Sequence, residues 1–92
     1  SGSIKGTGLE KITCLKCLEP KYPKLAIKKG YEGTLKLKIT IMKNGLVKDV
    51  LIKESTGYNI LDKSGIYAAK NSKFYPLSKE TNLDIEYKLE LN

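Results

Sequence analysis

Cys14 and Cys17 form a Cys-x-x-Cys pair, a spacing that serves metal binding, thiol–disulfide exchange or a local disulfide. Structural zinc takes about four ligands. The chain has no histidine and no second cysteine pair, so two copies would have to share a metal. A redox motif ordinarily opens a helix after a strand, whereas Pro20 and Pro23 follow this one. Two readings stay level: a local disulfide in an oxidising compartment, and two reduced, partly buried thiols. The absence of histidine also removes the usual near-neutral base. Catalysis would rest on a perturbed lysine, cysteine or carboxylate, so the chain is read as a non-enzyme with no cofactor.

The other abundant chemistry is cationic. The net charge is +7, and all 17 basic residues are lysine. Base readout and bidentate phosphate binding favour the planar fork of arginine, so a specific nucleic-acid site is not expected. Lysines spread along nearly every element describe a solvated surface, and electrostatic sticking alone would fade near physiological salt. No apolar run approaches the roughly 18 residues of a membrane helix. Ser1-Gly2-Ser3 reads as a tag remnant and the chain as an excised soluble piece.

The stretch that most constrains function is the last, Leu83-Asp84-Ile85-Glu86-Tyr87-Lys88-Leu89-Glu90-Leu91. Apolar and charged residues alternate without a slip, the period of a strand with one buried face. The same period marks Thr34–Met42, where Leu35, Leu37, Ile39 and Ile41 share a face. Asn44-Gly45 then signals a hairpin, with a return strand over Leu46–Glu54. Val50 and Ile52 are in phase there and Val47 is not. Either a bulge sits near Lys48-Asp49 or Leu46 is the buried partner.

Two helices complete the pattern. Pro23–Lys29 is a short helix with Pro23 in its first turn, Leu25 and Ala26 facing inward, and Gly30 as its stop. After Ser55-Thr56-Gly57, Asn59 caps a second helix with Asp62 in its first turn. Leu61, Gly65, Ala68 and Ala69 line one stripe, and the helix ends by Ser72, before Phe74-Tyr75-Pro76 and a polar loop over Leu77–Asn82. The expected fold is α+β, in the order helix, strand, strand, helix, strand. Connection rules make the last strand antiparallel to the first and adjacent to it. The sheet order is second-first-third, both helices cover the apolar face, and the last strand is an edge. An open edge either is tolerated, blunted by Asp84, Glu86, Lys88 and Glu90, or invites another extended chain.

From Pro20-Lys21-Tyr22-Pro23-Lys24-Leu25-Ala26 onward the chain resembles the C-terminal domain of the TonB family, energy transducers of bacterial outer-membrane transport. The likeness continues in order through Gly30 and Gly33, Asn44-Gly45-Leu46-Val47, Ser55-Thr56-Gly57, Leu61-Asp62 and Phe74-Tyr75-Pro76, about residues 20 to 91. The chain divides accordingly into a lead-in over 1–19, flexible and carrying the Cys-x-x-Cys, and a TonB-like domain over 20–92. Each motif alone is weak, and their order and spacing carry the resemblance. Two features depart from it. Ser72 stands where the family usually has an aromatic, and the Cys14/Cys17 pair is outside the family pattern.

The resemblance implies a periplasmic domain, tethered by an inner-membrane helix outside this chain and driven by inner-membrane motor proteins. It also implies that the domain binds the TonB box, an extended N-terminal segment of outer-membrane transporters, as a strand added beside the last one. By position, Glu19, Pro20, Lys21, Tyr22 and Pro23, with the strand Leu83–Leu91, are the contact residues. Some relatives carry Gln where Glu19 stands, so the charge there is expected to alter which box is accepted. A homodimer through the same edge is the competing use of that backbone. An envelope-integrity module of the TolA type is the alternative reading.

Overall fold

Leu35, Leu37, Ile39 and Ile41 are all fully buried in the computed structural model, which describes residues 11–92. The elements in chain order are β1 (Cys14–Lys16), α1 (Lys24–Lys29), β2 (Gly33–Ile41), β3 (Val47–Glu54), α2 (Asn59–Lys70), β4 (Lys73–Phe74) and β5 (Thr81–Leu89). The main sheet is antiparallel in the order β3-β2-β5, so the α+β architecture and the strand order match the reading of the sequence. A second, two-stranded sheet of β1 and β4 was not anticipated.

The four buried residues of β2 share one face because side chains alternate along a strand. Burying them contributes roughly 1.5–3 kcal/mol each against the entropy of ordering the chain. At the hairpin, Thr40 pairs with Asp49 but Ile41 pairs with Val47, which leaves Lys48 as the extra residue of a bulge. That bulge brings Val47 into phase with Val50 and Ile52, while Leu46 is exposed. Of the two readings of this turn, the bulge is the one observed.

Gly45 is required twice over. Its φ is +88°, and a Cβ there would stand 1.9 Å from the Phe74 carbonyl oxygen. The contact is productive, because the Gly45 carbonyl accepts the Phe74 N–H at 2.9 Å and the Lys43 carbonyl accepts the Leu77 N–H at 2.8 Å. These bonds stitch the hairpin turn to the segment after α2. Leu77, expected in a polar loop, is therefore buried.

The α2 stripe is as expected: Leu61, Gly65, Ala68 and Ala69 are all buried. A Cβ on Gly65 would lie 2.2 Å from Leu35 Cδ2, so the helix rests on the sheet at a distance that only glycine permits. The helix start differs from expectation. Tyr58, not Asn59, is the N-cap, and it makes no side-chain cap. The Asp62 carboxylate instead turns back to the preceding loop. It accepts the Thr56 N–H at 2.9 Å, the Thr56 hydroxyl at 2.7 Å and the Ser55 hydroxyl. Tyr58 stacks on Tyr31 with ring centroids 4.0 Å apart, which ties this loop to the one after α1.

In α1, Pro23 is the extended N-cap (φ −62°, ψ 139°) rather than a first-turn residue. Only Ala26 is buried there, against Leu61 and Leu89. A six-residue helix offers one narrow stripe to its neighbours, and Leu25, expected inward, is exposed. Part of the 1–19 stretch is built into the fold. Ile12 lies in the main core, the Thr13 carbonyl accepts the Tyr75 N–H at 3.0 Å, and Cys14 pairs with Phe74. The tag remnant and the Ile4–Glu10 portion of the lead-in lie outside the described residues.

Two stability experiments follow from these contacts. Gly45→Ala should lower the urea midpoint by the equivalent of about 2–4 kcal/mol, combining left-handed strain with an overpacked contact. Gly57→Ala has positive φ but open space around it, and should show only the roughly 1–2 kcal/mol strain. Burial alone would raise the Asp62 carboxyl, but the Ser55 and Thr56 hydrogen bonds overcome it and hold the group below its ordinary value of 3.8. Its contribution is thus full above that value and lost as pH falls through the lower folded one. Asp62→Asn should cost about 1.5–3 kcal/mol in denaturant melts above about pH 5, and the gap should close in acid.

Candidate functional site

The two edges of the main sheet are built differently. Along β3 the register with β2 slips twice, between Lys36 and Leu37 and again between Thr40 and Ile41. Bulges of this kind twist an edge away from further pairing. Along β5 the register runs without a break from Gly33↔Leu89 to Ile41↔Thr81. One edge is irregular and the other is a straight template.

Backbone direction on β5 follows from β2. The Met42 N–H donates to the Leu46 carbonyl and the Met42 carbonyl accepts the Gly45 N–H, both at 2.8 Å, so Met42 faces the hairpin side. Successive residues alternate sides in an antiparallel ladder. Ile41, Ile39, Leu37, Leu35 and Gly33 therefore face β5, and their partners Thr81, Leu83, Ile85, Tyr87 and Leu89 face back. The backbone groups of Asn82, Asp84, Glu86 and Lys88 point outward, away from the sheet. The residues with exposed, polar or charged side chains are thus the ones whose backbone is open, while Leu83 and Leu89 are buried and Ile85 and Tyr87 half-buried.

The expected strand Leu83–Leu91 is shifted to Thr81–Leu89. Its length is set by its partner: β2 starts at Gly33, so Glu90 and Leu91 have no residue to pair with, and the Leu91 N–H instead donates to Glu32 Oε2 at 2.8 Å. At the other end β2 reaches Ile41, which recruits Thr81 and Asn82. The Thr40 hydroxyl donates to Asn82 Oδ1 at 2.9 Å across that pair.

The segment Leu18 to Pro23 forms an arm held at three points. The Leu18 N–H donates to the Ser72 hydroxyl oxygen at 3.1 Å. The Ser64 hydroxyl donates to the Lys21 carbonyl, and the Tyr22 hydroxyl donates to the Tyr31 carbonyl while lying 3.3 Å from the Leu89 carbonyl. The arm therefore bridges α2 and the end of β5. The Tyr87 hydroxyl is raised above its ordinary range by burial and by the charge of Glu19, while a hydrogen bond with Ser72 acts the other way. Burial and then the charges of Glu32 and Glu90 raise that of Tyr22. Glu19 and Tyr87 are thus electrostatic neighbours, though far apart in sequence. Pro20 and Pro23 are half-buried, and Glu19 and Lys21 are exposed.

Ser72 is the residue that reading of the sequence undervalued. It is buried, donates to the Ala68 carbonyl at 2.8 Å, accepts from Leu18 and meets Tyr87. A small hydroxyl where an aromatic was expected leaves room for the arm to hydrogen-bond directly to the helix end. Cys14 and Cys17 are joined in a disulfide, with Cα atoms 5.9 Å apart. Among the described residues no group of His, Cys, Asp and Glu is placed to hold a metal ion.

Comparison with known proteins identifies the family and the fold. The family model for the C-terminal region of the Gram-negative bacterial TonB protein matches residues 19–92. Protein TonB of Neisseria meningitidis serogroup B is 32% identical over 92 residues, covering the whole chain and 32% of that protein. Protein tonB2 of Pseudomonas aeruginosa is 32% identical over 60 residues, covering 65% of this chain and 22% of that one. The chain thus spans about a third or less of these relatives. Among solved structures, the solution structure of the Pseudomonas aeruginosa TonB C-terminal domain superposes with a TM-score of 0.75 at 23% identity, covering 88% of this chain and 87% of that one. A Helicobacter pylori TonB C-terminal domain gives 0.66 at 27% identity, covering 79% and 70%. With the family model matching nearly all of the chain beyond the disulfide, this protein belongs to the TonB C-terminal domain family.

Proposed function

We propose that the chain is the partner-binding end of a periplasmic energy transducer, which receives the TonB-box segment of an outer-membrane transporter as a strand added along β5. In the same reading, a part of the protein outside this chain couples it to inner-membrane motor proteins, and the bound segment transmits their force. The observation that carries the reading is the unbroken β5 edge with the Glu19–Tyr22 arm pinned beside it. The described residues hold no helix long and apolar enough to cross a membrane, so any anchor would lie elsewhere.

The energetics suit a transient coupler. An added strand makes a handful of hydrogen bonds, each worth roughly 0.5–1.5 kcal/mol net. Association itself costs roughly 4–15 kcal/mol, so backbone pairing alone gives weak, reversible binding. Contacts of the segment with half-buried Ile85 and Tyr87 and with the arm supply the rest. Under force applied along the strand, several bonds share the load. The same edge also accommodates a second copy of the chain, which would appear as concentration-dependent amide shifts before any peptide is added.

A titration with a synthetic peptide of a transporter's N-terminal segment, read by amide shifts, tests the site. Shifts are expected along Thr81–Leu89 and Glu19–Tyr22, and silence there at saturating peptide would refute the assignment. A backbone variant sharpens it. Proline is tolerated at a sheet edge where its missing N–H faces solvent. Glu86→Pro should leave the domain folded and weaken peptide binding by about tenfold or more, because it removes an outward donor. Ile85→Pro removes an inward donor and should unfold or strongly destabilise the domain.

A further inference from the structure

The Cys14–Cys17 disulfide has no part in strand addition, yet it sits between two fixed points of the chain. On one side Ile12 is buried in the main core and the Thr13 carbonyl is bonded to the Tyr75 N–H. On the other, Leu18 is bonded to Ser72 and begins the arm. Between them β1 pairs with β4 irregularly, with a register slip between Cys14 and Lys16, so backbone pairing alone holds this stretch poorly. Leu15 and Lys16 inside the ring are exposed. The covalent bond closes the chain between these two fixed points.

We propose that the Cys14–Cys17 disulfide is a positioning element of the partner site: it holds the Leu18–Tyr22 arm against α2 and β5, and the oxidised chain is the binding-competent one. The proposal rests on the strand-addition reading for its consequence on binding, and on the arm's own geometry for its consequence on order. Three features support a local effect. The ring spans a sequence separation of only 3, so its loss frees little of the chain. Neither cysteine is among the buried residues of the main core, and only Cys14 packs against its edge. Finally, Cys17 is exposed and Cys14 only half-buried, so a small dithiol can reach the bond.

The test compares the oxidised protein, the same protein held reduced by dithiothreitol, and the double variant Cys14→Ser/Cys17→Ser. Reduction moves two electrons and two protons from the reagent, which cyclises to its own disulfide, and leaves Cys14 and Cys17 as thiols. Amide hydrogen exchange is measured first, without ligand. In both disulfide-free forms the Leu18 amide should exchange about tenfold faster, while the amides of Leu35, Leu37 and Ile39 keep their protection. The second readout is the affinity for the transporter-derived peptide used above, which should weaken about tenfold. Unchanged exchange at Leu18, or equal peptide affinity in all three forms, would overturn the proposal. Loss of protection throughout β2 would also overturn it, by making the bond a general stabiliser. If the oxidised protein shows no peptide binding, the strand-addition reading fails, and the exchange measurement still decides whether the disulfide orders the arm.

Discussion

The unbroken register between β2 and β5 is the constraint on which the rest of the structure depends. β2 is the middle strand, its apolar face is fully buried, and its ladder with β5 runs from Gly33↔Leu89 to Ile41↔Thr81. A slip by one residue would turn Leu83, Ile85, Tyr87 and Leu89 out to water and bring Asp84 and Glu86 onto the core. That penalty fixes the pairing, and the pairing fixes which backbone groups of β5 remain open. The helix α2 can then lie close only because Gly65 leaves room for Leu35.

Much of this was legible in the sequence, for reasons that differ by element. The alternation in Leu35, Leu37, Ile39 and Ile41 is long enough to be unambiguous, and Asn44-Gly45 marks the turn chemically. The phase conflict of Val47 with Val50 and Ile52 left a bulge near Lys48-Asp49 or a buried Leu46 as the two readings, and the register decides for the bulge. The stripe Leu61, Gly65, Ala68, Ala69 carried the helical period. What was not legible has short range or distant causes. Strands β1 and β4 are three and two residues long, too short to show any period, and their pairing is a tertiary event. The ends of β5 depend on where β2 starts and stops. Asn59 is a good cap by type, but the buried Asp62 and the stacked Tyr58 decide the start of α2.

The candidate site shows the same division. Both of its parts were visible, an alternating last strand and a Tyr-Pro segment, but nothing local revealed that Glu19 neighbours Tyr87 or that Tyr22 reaches Leu89. Those contacts depend on Ser72 and Ser64, two small hydroxyls on or just past α2 that anchor the arm. The contrast between the edges was also hidden, since the second slip of β3, between Lys36 and Leu37, left no mark in the hydrophobic pattern. A sheet with one bulged edge and one straight edge has an intrinsic direction for growth. That asymmetry gives the proposed strand addition its physical basis.

Hydrogen exchange along β5, with and without the transporter-derived peptide, tests that claim most directly. In the free protein the amides of Leu83, Ile85 and Tyr87 should be protected and those of Asp84, Glu86 and Lys88 should exchange quickly. Peptide at saturation should protect Asp84, Glu86 and Lys88 and leave the others as they were. Protection gained instead along β3, or none gained on β5 by a bound peptide, would contradict the account.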